Sequence, residues 1–208
     1  MRSLLFVLAG CVLAGCAGGT RSGSTAAVYD FGLPAERLNR EGAWSGVAIE
    51  IRTPPWLDAR DIDYRLLYDD PLKLRSYASS HWAAPPGLLL AQRLRQQIGL
   101  VGASAPAATR CLLRLELFEF SQVFDSPRRS RGLLQGRAHI LDAARQIVAE
   151  WPVNNEQPAP AADARGGVVA LIAASDELGQ QLAAWLNDLE KHGRLKPCRK
   201  TVAQTDND

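Results

Sequence analysis

The chain has 208 residues, 24 lysines and arginines against 22 aspartates and glutamates, and a formal net charge of +2. So balanced a charge argues against nucleic acid as the main partner, and the length suits one domain with some residues left for a tether and a tail. Apolar residues make up 47%, enough for a globular core, and no segment beyond the N-terminus is long and apolar enough to cross a bilayer as a helix.

The N-terminus reads MRSLLFVLAGCVLAGCAGGTRSGS and holds Leu-Ala-Gly-Cys twice, ending at Cys11 and at Cys16. Arg2 supplies a positive start, Ser3 to Leu13 is almost wholly apolar, and the small residues Ala14 and Gly15 precede Cys16. This is the layout of a secretory signal. The tetrad resembles the bacterial lipobox, which implies diacylglycerol on the cysteine sulfur, cleavage before that cysteine and acylation of the new amino terminus. At about 0.8 kcal/mol per buried CH₂, two or three acyl chains hold a protein firmly on a membrane. Cleavage before Cys11 leaves a very short apolar core, so Cys16 is the expected lipid anchor. Residues 1–15 are then the signal peptide and 16–26 a Gly/Ser tether. Ala17, rather than an aspartate, follows the anchor, which points to the outer membrane, facing the periplasm. The competing reading is an ordinary secretory signal with chance cysteines.

Beyond the tether, AVYDFG at 27–32 reads as a short first strand ended by Gly32 and Pro34, and GVAIEIR at 46–52 as a strand with Val47, Ile49 and Ile51 on one face. Residues 62–68 and 72–78 form a hairpin around Asp69-Asp70-Pro71. Pro85 and Pro86 open a helix whose Leu90, Leu94 and Ile98 recur at helical spacing, with Arg93, Arg95 and Gln96 elsewhere on the wheel. Residues 102–109 are a loop. CLLRLELFEFSQVF is the strongest strand, with Leu113, Leu115 and Leu117 opposed to Arg114 and Glu116. A basic turn at 125–132 leads to two further strands joined near Ala143-Ala144, then a loop at 154–162. A long helix at 163–190 carries Leu171, Leu178, Leu182, Trp185 and Leu189 as its apolar stripe, with Asp163 as its N-cap. The expected fold is α+β in the order β-β-β-β-α-β-β-β-α, a mostly antiparallel sheet with two helices on one face. One domain is expected over 27–198, followed by a disordered polar tail at 199–208. The face away from the helices carries Arg114, Glu116, Arg137 and His139; it is either solvated or met by a partner.

Cys111 and Cys198 are the remaining cysteines. In an oxidising periplasm an isolated pair reads as a disulfide; two free or partly buried thiols are the alternative. His81, His139 and His192 show no ligand spacing with each other or with a cysteine, so no metal site is expected. No phosphate-binding glycine loop, nucleophile elbow or zinc-protease motif occurs. The carboxylate pairs Asp61/Asp63 and Asp69/Asp70 sit beside strand ends and a turn and read as solvated. No enzymatic activity is expected.

Several stretches together resemble one family. Pro55, Leu57, Asp58, Ile62, Tyr64 and Arg65 form a strand entry; Tyr77, Ser80 and Trp82 precede the proline-led helix; Phe120, Gln122, Phe124 and Asp125 form a hairpin arm. Their order and spacing are similar to the ABC-type transport auxiliary lipoprotein family, the PqiC-like group. The resemblance implies a non-catalytic outer-membrane lipoprotein of an intermembrane phospholipid transport system, with no cofactor. Its implied partners are an MCE-domain protein forming a lipid-conducting tube and an inner-membrane permease with its ATPase. Phospholipid contact and a homo-oligomeric ring are both compatible with it. Trp82, Phe120, Phe124, Arg128, Arg129 and Arg131 are the candidate partner-binding residues, aromatic anchors and guanidinium forks being suited to interfaces. Core packing is the other reading of Trp82, and a solvated hairpin tip that of the arm. An assembly lipoprotein, such as a pilotin or outer-membrane assembly factor, and a lipid-anchored hydrolase are the rival functions.

Overall fold

The computed structural model describes residues 25–33, 37–38, 44, 46–102 and 110–198. Cys11, Cys16, the signal peptide, most of the tether and the tail lie outside the described residues. In chain order the elements are β1 (Ala27–Tyr29), β2 (Val47–Arg52), a 3-10 turn (Pro55–Leu57), β3 (Asp61–Leu66), β4 (Asp70–Trp82), α1 (Pro86–Ile98), β5 (Val101–Gly102), β6 (Cys111–Ser126), β7 (Arg129–Leu141), β8 (Ile147–Pro158), α2 (Ala164–Lys191) and a closing 3-10 turn (Lys196–Cys198). The eight strands form one sheet, ordered β1-β4-β3-β6-β2-β5, with β7 and then β8 added through β6.

The long ladders are antiparallel: β3 with β4, β6 with β7, and β7 with β8. Parallel pairing is confined to shorter contacts, of β1 with β4, β2 with β5, and β2 and β3 with β6. β6 is the axis of the sheet, and two different strands share one of its sides. β2 lies beside its first half, from Val47 opposite Cys111 to Arg52 opposite Glu116. β3 lies beside its second half, from Tyr64 opposite Gln122 to Leu66 opposite Phe124. The Pro54-Pro55 step between β2 and β3 makes this possible. It ends β2, and Leu57 on the turn that follows is buried.

Several boundaries differ from the sequence reading. The loop expected at 154–162 begins later, because Asn154 to Pro158 continue β8. Those residues have partners on β7: Gln135 Nε2 donates to Asn154 Oδ1 at 2.9 Å, and Arg131 pairs with Glu156 at 2.8 Å. The basic turn shrinks from 125–132 to Pro127-Arg128, with β6 and β7 running almost to its tip. Strand β4 extends to Trp82, beyond the expected 72–78, and β5 was not expected at all. Pro152 and Pro158 fall on β8, whose one strand partner among the described residues is β7; an edge tolerates a missing N–H.

Both helices pack on one face. Leu90, Leu94 and Ile98 of α1 are fully buried, as are Leu171, Leu178, Leu182 and Leu186 of α2, each burial stabilising by about 1.5–3 kcal/mol. Pro86 occupies the first position of α1, and Gly99 closes it at φ 74, its N–H bonded to the Arg95 carbonyl. Asp163 caps α2, its carboxylate accepting from the Gly166 N–H at 2.7 Å. Gly132 of β7 permits a close approach, since a methyl group there would overlap the backbone of Ala170 and Leu171. Trp185 stays at the rim, its ring 6.0 Å from that of Trp151.

The β7–β8 turn carries an unusual residue. Arg145 has φ 64, where a side chain is disfavoured by about 1–2 kcal/mol. Its N–H bonds to the Asp142 carbonyl, and the Asp142 carboxylate accepts from the Gln146 N–H, so the turn is held from both ends. Arg145→Gly is expected to raise stability by about 1 kcal/mol, read as a higher denaturant midpoint at unchanged slope. An unchanged or lower midpoint would show that the arginine side chain compensates the strain.

Candidate functional site

The expected arm of aromatics and arginines divides into two parts. Trp82 and Phe120 are each 1% exposed, with ring centroids 5.9 Å apart, and Phe31 packs on both. Phe124 is 6% exposed, its ring 5.9 Å from Tyr64. These three are therefore core residues: for Trp82 this is the packing reading, and for Phe120 and Phe124 it corrects their reading as partner anchors. Gln122 lies on the same side of β6 and is tied at both ends. Tyr77 Oη donates to its Oε1 at 2.8 Å, and its Nε2 donates to Ser130 Oγ at 2.7 Å. Burial pushes the Tyr77 phenol well above its ordinary range, so it acts as a donor at any physiological pH.

The arginines behave differently. Arg131 is held by Asp125 and Glu156. Arg128 and Arg129 are exposed and make no ion pair among the described residues. Cys111 and Cys198 form a disulfide, with Cα atoms 5.1 Å apart. It fastens the closing 3-10 turn to the start of β6.

A second surface went unread in the sequence. The β6–β7 register shifts between Leu117 and Glu119, a bulge that leaves Phe118 without a cross-strand partner and 51% exposed. Trp56, on the turn after Pro54-Pro55, is 60% exposed. Both line an open cleft of about 410 Å³ with Thr53, Pro54 and Leu117, Arg52 and Glu116 completing its wall. Its mainly apolar lining suits an aliphatic or aromatic group. The signal in the sequence was Phe118 itself, an aromatic at an outward position of the alternating LRLELF.

The sheet face opposite the helices is a set of ion pairs. Glu50 receives Arg114 at 2.8 Å and Arg52 at 3.3 Å; Glu150 faces His139 at 3.2 Å and Arg137 at 3.6 Å; Arg65 meets Glu119 at 2.9 Å. Burial pushes the Glu50 carboxyl up, but the Arg114 hydrogen bond and the two guanidinium charges outweigh it and hold the group below the ordinary range.

Asp63 is the exception on this face. Its carboxyl is buried, accepts from Ser76 Oγ at 2.7 Å, and is pushed above the ordinary range by burial first, with Asp61 and Glu119 adding like charge. The folded protein thus holds this proton more tightly than the unfolded chain does. Its contribution to stability rises as pH falls through the interval between the ordinary and the raised value, and is a penalty above that interval. Asp63→Asn is expected to raise the melting temperature at neutral pH and to lose that advantage toward pH 4. Equal shifts at both pH values would remove ionisation as the cause.

The class defined by these features is an α+β domain in which a long two-helix layer covers one face of a mixed, mostly antiparallel sheet. Two solved structures share it. One is protein XCC0632 from Xanthomonas campestris, described as DUF330, with a TM-score of 0.64 at 16% identity, covering 80% of this chain and 98% of that one. The other is described as an uncharacterised protein, with a TM-score of 0.61 at 15% identity, covering 78% of this chain and 99% of that one. No protein-family model and no curated protein matches the sequence. The likeness establishes the fold.

Proposed function

We propose that this chain is a membrane-anchored periplasmic lipoprotein serving an ABC/MCE-type intermembrane phospholipid transport system, docking the transport tube at the outer membrane. The observation that carries the reading is the fold match, which spans nearly the whole of a DUF330 protein. DUF330 is the family of the PqiC-like lipoproteins, to which the strand-entry and hairpin motifs independently point. The Leu-Ala-Gly-Cys tetrad ending at Cys16 supports the anchor. The role is one of binding and positioning: the MCE-domain protein is the direct partner, the permease and ATPase are the distant ones, and no catalytic residue is assigned.

Affinity capture from crosslinked envelopes tests this, with the lipidated chain and a Cys16→Ala control. The expected result is specific recovery of an MCE-domain protein, reduced in the control. Recovery of a secretin or an assembly-machine subunit, with no MCE protein at any crosslinker level, would overturn the transport role in favour of an assembly lipoprotein.

A further inference from the structure

Two hairpin ends meet at one end of the sheet. Leu66 of β3 lies opposite Phe124 of β6, and the Leu67 N–H donates to the Phe124 carbonyl at 3.0 Å. The β3–β4 turn is thereby fixed beside the strand that leads into the β6–β7 turn. The first carries apolar side chains that the fold leaves in solvent: Leu67 is 39% exposed, Tyr68 48% and, just inside β4, Leu72 89%. The second presents Arg128 and Arg129, and Lys73 stands next to Leu72; none of the three makes an ion pair among the described residues.

Most of the remaining charges at this end are paired. Asp69 holds Arg75, Asp125 and Glu156 hold Arg131, and the Asp70 carboxylate accepts from the Leu72 N–H at 3.1 Å. Three cations and the Asp70 carboxylate are left without an ion pair among the described residues, so the unpaired charge is mainly positive, and what is left uncovered is apolar. Leucine and tyrosine beside unpaired lysine and arginine is the chemistry of a bilayer interface. Aromatic rings settle at headgroup depth, aliphatic side chains reach the acyl boundary, and cations meet anionic headgroups.

We propose that the paired hairpin ends seat the domain on an anionic phospholipid surface, with Leu67, Tyr68 and Leu72 entering the interface and Lys73, Arg128 and Arg129 meeting lipid phosphates. The proposal rests on the lipoprotein reading in one respect, the nearness of a membrane. A tether over 16–26 reaches at most ~40 Å when extended, so an anchored domain meets the surface at high effective concentration and a weak contact suffices. The two turns also explain each other: neither alone combines apolar side chains with more than one free cation.

The test is flotation of the unlipidated chain from Ala17 with vesicles of phosphatidylcholine alone or mixed with phosphatidylglycerol, at low and high salt. Among the described residues the buried side chains of the main hydrophobic core begin at Phe31, and a cooperative melting transition of the unlipidated chain is the check that it folds without the anchor. The expected result is flotation with the mixed vesicles, weakened by salt. Arg128→Glu with Arg129→Glu should cut it by about tenfold or more, and Tyr68→Ser with Leu72→Ser should cut it at both salt levels, all variants melting like the parent. Absence of parental flotation with mixed vesicles at low salt, or equal flotation by every variant, overturns the proposal. If the arginine variants float normally but no longer capture a protein partner, the hairpin ends belong to a protein interface and the proposal also falls. Capture of an MCE protein without flotation removes this proposal and leaves the transport role; flotation without capture does the reverse.

Discussion

Reduction of the Cys111–Cys198 disulfide, or replacement of both cysteines by alanine, is expected to lower the unfolding free energy by roughly 4–5 kcal/mol. The estimate follows from the entropy restored to the unfolded chain when a closed loop is opened, here with a sequence separation of 87. The folded side contributes too. Both cysteines are buried, and the turn they fasten brings Leu195 into the core. The turn also passes so close to the start of β2 that a methyl group on Gly46 would overlap the Cys198 carbonyl. That contact gives the prediction a second arm. Gly46→Ala should be strongly destabilising while the disulfide holds Cys198 in place, and much less so once the bond is removed. Urea unfolding of the four proteins in this cycle measures both effects. A midpoint insensitive to reductant would mean that packing alone fixes the C-terminal turn, and additive costs would separate Gly46 from it.

The same sequence that reveals most of the sheet misleads at one residue, for a physical reason. Leu113, Leu115 and Leu117 alternate cleanly with Arg114 and Glu116, so strict period-two counting carries Phe118, Phe120, Gln122 and Phe124 to the polar face. The bulge between Leu117 and Glu119 moves the count by one. A one-residue slip exchanges the two faces of a strand. Phe120, Gln122 and Phe124 therefore turn inward and become core, while Phe118 remains outside. An aromatic and basic arm expected as a surface becomes a buried aromatic cluster with free arginines only at its tip.

Other features were legible because they rest on local chemistry: the proline-led start of α1, the leucine stripes of both helices, the Asp163 cap, the cysteine pair. The parallel pairing of β2 and β3 with one side of β6 was not. It depends on where the chain returns after Pro54-Pro55, which no local pattern encodes. The continuation of β8 to Pro158 was hidden in the same way, since its polar residues gain partners only once β7 lies alongside. For the two hairpin ends, each turn was visible in the sequence; that they adjoin was not.

Arg93→Leu, on α1, is expected to cost about 3 kcal/mol. Helical spacing placed Arg93 away from the apolar stripe, yet its side chain is 6% exposed. Its guanidinium bonds Asp176 of α2 through Nε at 2.7 Å and Nη2 at 2.8 Å, and donates through Nη1 to the carbonyls of Phe31 and Leu33. One planar fork thus joins α1, α2 and the segment after β1. Gln97 adds a third bond to the same carboxylate at 2.7 Å.

Removing the guanidinium leaves two carbonyls and part of a carboxylate without donors, and such loss exceeds the net worth of the bonds when they are intact. Asp176 is partly open to water, which keeps the cost nearer the lower end for a buried pair. Lysine should not rescue, since a point charge cannot reach acceptors on both sides of the fork. Replacing Arg93 and Asp176 together by leucines should cost less than the sum of the single changes, because the stranded carboxylate goes with its partner. Hydrogen exchange separates this from a general loss of stability. Amides from Phe31 to Leu33 should exchange faster in Arg93→Leu than in a core variant of equal global stability. Uniform acceleration across the sheet would mean that Arg93 only supports the helix pair. A selective effect would make it the clasp that fixes the segment after β1 against the two helices.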